Sequence, residues 1–97
     1  MRKAVRQGDV LLVPVATVVG ERIQPTRKRF ILAEGEQTGH HHSVGANAMA
    51  FLSRDGLFID GAETLVHQEH DPHEIDGSYE VVQQRRATDH HVLPVSD

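Results

Sequence analysis

No stretch of this chain sets apolar residues at helical spacing, and that constrains the fold more than any other feature. The apolar residues come instead in short runs cut by turn formers. "DVLLVPV" at 9–15 is nearly continuous, rich in β-branched residues and too short for a typical helix, so it reads as a buried strand with Pro14 near its end or at an edge. "RFILAEGE" at 29–36 reads as a second strand stopped by Gly35. Asp55-Gly56 is a strong hairpin signal between two apolar runs, and a two-residue turn there sets Leu52 opposite Ile59. "ETLVHQEH" at 63–70 is a strand closed by Asp71-Pro72. Asp76-Gly77 marks a turn before a last strand in which Tyr79, Val81 and Gln83 alternate with Glu80, Val82 and Gln84. The expected fold is all-β: a small single-domain barrel or roll over 1–97, built of six to eight short, mostly antiparallel strands. The tail from about 88 to 97 is expected to be frayed.

A chain of 97 residues with four aromatic residues must build its core from Val, Leu, Ile and Ala around Phe30, Phe51, Phe58 and Tyr79. Such a core leaves little margin when alone, so a homo-oligomer is expected. The net charge of -4 disfavours a nucleic-acid partner. Basic residues gather locally at Arg27, Lys28 and Arg29 and at Arg85 and Arg86, a pattern also common on solvated edges. There is no cysteine, which excludes disulfides and thiolate chemistry and fits a reducing cytoplasm. No apolar run approaches the ~20 residues needed to span a bilayer. The opening "MRKAVRQGDVLLVPV" is too interrupted for a signal peptide. A cytoplasmic protein without a membrane partner is expected.

Eight histidines fall in three groups, at 40–42, at 67, 70 and 73, and at 90–91. Side chains on a strand alternate between faces. An extended 39–44 puts His40, His42 and Val44 on one face and His41 with Ser43 on the other. In 63–69, Leu65 points to the core and His67 with it, and the bend at Asp71-Pro72 swings His70 toward the same point. The expected metal ligands are His40, His42, His67 and His70, with Glu69 or His73 as substitutes. Imidazole donors suit a divalent transition metal, Zn first and Fe, Ni, Mn or Cu as alternatives. Three ligands and an open position mark a catalytic site and four a structural one. Glu69 is then the candidate general base or orienting group. His90 and His91 are not expected to ligate. No nucleophile elbow, phosphate loop or dinucleotide fingerprint is present.

"GHHHSVG" with a later histidine resembles the cupin superfamily, which implies a metal-binding β-barrel with His40, His42 and His67 as ligands. Where cupins carry a glutamate after the histidine pair, this chain has Val44-Gly45-Ala46-Asn47. "QGDVLLVPV", "LAEGEQTGHHHSV" and "HQEHDPHEIDGSYEVVQQRR" together resemble small bacterial and phage-associated proteins of no assigned function. They share the outline Gly-Glu-x-Thr-Gly-His-x-His and His-x-Glu-His. That likeness implies no activity; it singles out His40, His42, His67 and His70.

The leading expectation is therefore a metal-binding β-protein, with enzymatic turnover and a small-molecule ligand left open. One rival is a structural or protein-interaction module whose histidines are loop polar groups or a pH-responsive cluster. The other is a nucleic-acid-binding barrel using Arg27, Lys28, Arg29, Arg85 and Arg86.

Overall fold

The computed structural model describes residues 2–34, 40–88 and 91–94, with the backbone alone for 85–88 and 91–94. These residues form ten strands and no helix: β1 (Val5–Gln7), β2 (Val10–Pro14), β3 (Glu21–Ile23), β4 (Arg29–Glu34), β5 (His41–Gly45), β6 (Met49–Ser53), β7 (Gly56–Leu65), β8 (His73–Gln83), β9 (Arg85–Thr88) and β10 (His91–Pro94). A six-stranded antiparallel sheet runs in the order β1-β2-β8-β7-β6-β3, and β4-β5 and β9-β10 each form a two-stranded ribbon. The all-β expectation holds, but the sheet is not closed into a barrel. No helix among the described residues is long and apolar enough to cross a membrane. Residues 89, 90 and 95–97 of the expected tail lie outside the described residues.

Two expected turns fall elsewhere. Ser53 pairs with Gly56, so the β6-β7 turn is Arg54-Asp55 and Leu52 faces Leu57 rather than Ile59. No turn forms at Asp76-Gly77, because β8 runs straight through it and Gly61 pairs with Gly77 across β7 and β8. Both glycines carry φ near +130°, at 138° and 129°, which L side chains rarely adopt. Their missing side chains also matter. A Cβ on Gly61 would lie 2.8 Å from the Ala48 Cα, and one on Gly77 would run into the Arg2 guanidinium. A glycine inside a long strand thus marks a close approach here, and of the expected strand 63–70 only 63–65 are strand, as the end of the ten-residue β7.

The core lies between the inner face of the large sheet and the β4-β5 ribbon. Val10, Leu12, Ala50, Ile59, Leu65, Ile75 and Tyr79 come from the sheet and Phe30, Leu32 and Val44 from the ribbon. The ribbon continues from the end of β7 through paired bonds between Ser43 and Val66, both 2.9 Å. Leu32 enters the core by alternation with Phe30, and a register shift between Ile31 and Ala33 sets Ala33 opposite His42. That irregularity fixes where the histidine strand enters the fold.

Candidate functional site

The histidine cluster is assembled from three places. His40 leads into β5 and His42 lies within it. His42 and Val44 point inward together, and His42 is only 1% exposed. Leu65 ends β7 in the core, and two residues on His67 is buried by the same alternation. His70 follows in the bend before Asp71-Pro72. Ring centres of His42 and His67 are 4.3 Å apart, those of His67 and His70 4.5 Å, those of His40 and His67 5.8 Å, and those of His42 and His70 6.0 Å. The four expected histidines are therefore in one cluster, with the His67 ring against each of the other three. His41 points the other way, its backbone N–H donating to Gln68 Oε1 at 2.8 Å. His73 begins β8 and lines a cleft beside His70. His90 lies outside the described residues, as does the side chain of His91.

His42 is held by a network absent from the sequence-based expectation. Gln7 Nε2 donates to the Leu65 carbonyl at 3.1 Å and the Asp71 carbonyl at 2.9 Å, which uses both of its hydrogens. Gln7 Oε1 is thereby turned toward His42 Nδ1 at 2.9 Å and can only accept, so Nδ1 carries a proton. His42 Nε2 meets Asp9 Oδ1 at 3.1 Å, a contact that needs one proton on either atom. Asp9 Oδ2 accepts from Gln83 Nε2, which also donates to the Glu34 carbonyl, both at 2.9 Å. Gln7 precedes the two-residue β1-β2 turn and Asp9 is its second residue, after Gly8, whose φ of 59° suits a hairpin with glycine at its first central position. The "QGD" turn was the only local signal for these partners. Nothing local pointed to Gln83, 74 residues from Asp9.

The remaining nitrogens divide unevenly. His67 Nδ1 accepts from the Glu69 backbone N–H at 3.0 Å, so in the neutral ring the proton sits on Nε2. His40 Nδ1 is buried and makes no hydrogen bond with the described residues. Glu69 Oε2 is 3.6 Å from it, with the Glu69 side chain 52% exposed. Burial holds the pKa of His42 below the usual imidazole value; the His67 ring adds to this and Asp9 opposes it. Burial also lowers that of His67, reinforced by His70 and His40. At both rings burial works against the imidazolium.

An ion about 2.0–2.1 Å from each ligating nitrogen sits about 3.2 Å from each ring centre, which sets ring centres about 4.5–5.2 Å apart at angles of 90–109°. The observed separations bracket that range. The donors are of the kind a transition metal takes, but the His40–His67 and His42–His70 separations of 5.8 and 6.0 Å exceed that range. Their lone pairs do not yet converge. Among the described residues, no group of three or more His, Asp or Glu side chains is arranged to hold an ion. His42 has both nitrogens committed, and His67 must give up the Glu69 N–H contact to ligate.

The model of the Domain of unknown function (DUF8820) family matches residues 6–84, and the chain belongs to that family. No curated protein and no solved structure gives a significant match. The matched span contains every residue of the cluster and its network.

Proposed function

We propose that this member of a family of unknown function is a cytoplasmic metal-binding β-protein, with His40, His67 and His70 as ligands of a divalent transition metal, zinc foremost. The observation that carries the reading is a cluster of four imidazoles centred on the His67 ring, one of which, His40, has a buried nitrogen without a hydrogen bond among the described residues. Gathering imidazoles away from water costs free energy unless their polar atoms find partners. An ion would meet that cost at His40 and draw the His40 and His67 rings, now 5.8 Å apart, closer together. His42, expected as a ligand, is assigned a different part. Asp9 and Gln7 saturate it, and it forms the floor on which the His67 ring rests. Three protein ligands leave a position for an exogenous oxygen donor. Glu69 lies beside the same His40 nitrogen and would take a proton from a molecule in the open position.

The test is elemental analysis of untagged protein, followed by calorimetric titration with Zn²⁺. One ion per chain, lost in His67→Ala and His70→Ala, supports the assignment. A protein that takes up no metal from micromolar Zn²⁺, Fe²⁺, Ni²⁺, Mn²⁺ or Cu²⁺ ends it.

A second reading has its own observation. The hydrogen bonds of His42 and of His67 Nδ1 are complete within the chain. This suits a metal-free polar core in a protein-interaction module. Exposed Ile31 and Val66, both paired with Ser43, would supply an apolar contact point.

A further inference from the structure

Beside His70 lies an open cleft of 310 Å³ lined by Arg6, Gln7, Gly8, His70, Asp71 and His73. Its walls come from the β1-β2 turn and from the bend that ends the His67–His70 segment. The charges are distributed unevenly. Arg6 is exposed on β1, and among the described residues none accepts a hydrogen bond or forms an ion pair with its guanidinium. Asp71 is also exposed, and its backbone carbonyl is anchored by Gln7 Nε2. The cleft therefore presents one fixed cation, one fixed anion and two imidazoles within a space of about ten water volumes.

A guanidinium offers a planar fork that matches a carboxylate in a bidentate pair. A carboxylate on Asp71 repels a second anion and accepts a hydroxyl or ammonium hydrogen instead. The wall formed by His70 belongs to the histidine cluster as well. We propose that this cleft binds a small hydroxycarboxylate, its carboxylate on Arg6 and its hydroxyl hydrogen on Asp71. One of its oxygens reaches the open metal position next to His70. The last contact rests on the metal reading, whereas the Arg6 and Asp71 contacts do not.

The experiment titrates glycolate and propionate by calorimetry into zinc-loaded and zinc-free protein in an amine buffer. Wild type is compared with Arg6→Gln and Asp71→Asn, with thermal melts showing that each variant is folded. The proposal expects Arg6→Gln to weaken glycolate at least tenfold. It expects Asp71→Asn to weaken glycolate while leaving propionate within twofold, and zinc to tighten glycolate in wild type. Zinc uptake with no glycolate binding, or with glycolate binding indifferent to Arg6, overturns the cleft and leaves the metal site standing. Absence of zinc uptake with Arg6-dependent glycolate binding overturns the metal reading and upholds the carboxylate cleft. Failure of both zinc and glycolate to bind overturns both.

Discussion

His42 Nε2 lies 3.1 Å from Asp9 Oδ1, and the two side chains, 33 residues apart in the chain, are only 1% and 5% exposed. A buried pair of this kind stabilises little unless every remaining polar atom is satisfied, and breaking one side of it is costly. Here the rest is satisfied. Gln83 takes the second Asp9 oxygen and Gln7 takes the second His42 nitrogen. The unit is therefore best understood as a closed polar plug that fixes the inner wall of the histidine cluster.

Asparagine can replace Asp9 without opening that plug. Its Nδ2–H would donate to His42 Nε2 while its oxygen still accepts from Gln83. Alanine leaves both neighbours unsatisfied. Asp9→Asn should therefore cost less than about 1 kcal/mol, and Asp9→Ala about 2–4 kcal/mol, since each buried orphan costs roughly 1–3 kcal/mol. Urea denaturation of the two variants checks this. Equal losses would mean that the charge of Asp9, rather than its hydrogen bonds, holds His42.

The lowered pKa values of His42 and His67 make the metal-free fold acid-sensitive. Both groups titrate below the unfolded value of 6.5, so the unfolded chain binds more protons in the window beneath it. Their contribution is fully present above pH 6.5 and is lost as pH falls through their folded values. The midpoint of thermal unfolding should be level from pH 8 to about 7, then drop toward pH 5. His67→Gln should flatten part of the drop. A curve of unchanged slope in that variant would assign the acid sensitivity to other groups. Zinc affinity should fall over the same window, because imidazole ligates only when neutral.

Removal of single histidines separates ligands from supports. His40→Ala, His67→Ala and His70→Ala should each lose stoichiometric zinc, while His41→Ala should retain it, because His41 alternates to the opposite face. His42→Ala should retain one site and weaken it roughly 10–100-fold, the usual effect of a group that holds a ligand in place. Calorimetry against Zn²⁺ distinguishes these. Complete loss in His42→Ala would make it a ligand and show that zinc displaces Gln7 from Nδ1. In wild type, zinc should also shift the Glu69 backbone amide resonance, since His67 Nδ1 must release that N–H.

The proximity of the four histidines was legible because alternation on a strand is geometric. Val44 and Leu65 had to be inside, so His42 and His67 followed them. Their hydrogen-bonding state was not legible. It depends on Gln7 and Asp9, brought in by a turn of another hairpin, and on a β4 register shift that no residue type announces. Glycine misled twice, at Asp55-Gly56 by one residue and at Asp76-Gly77 altogether. There it lies inside β8 and leaves room for the Arg2 guanidinium rather than reversing the chain. The all-β class survived these errors because turn frequency and short apolar runs do not depend on where each turn falls.

A final prediction concerns backbone strain away from the cluster. Thr26 and Arg29 exchange both backbone hydrogen bonds, at 2.7 and 3.0 Å, closing a two-residue hairpin over Arg27 and Lys28. Both turn residues have positive φ, 51° and 65°, as a type I′ turn requires. Asn-Gly is the preferred pair for that geometry, whereas long side chains there cost about 1 kcal/mol each. Arg27→Asn combined with Lys28→Gly should therefore stabilise the fold by about 1–2 kcal/mol, or raise the unfolding midpoint by roughly 4–8 °C per kcal/mol. Differential scanning calorimetry measures the gain. The turn lies outside the ring contacts and hydrogen bonds that define the cluster, so zinc stoichiometry should not change. A fall in stability would mean that the arginine and lysine side chains make contacts that outweigh the backbone strain.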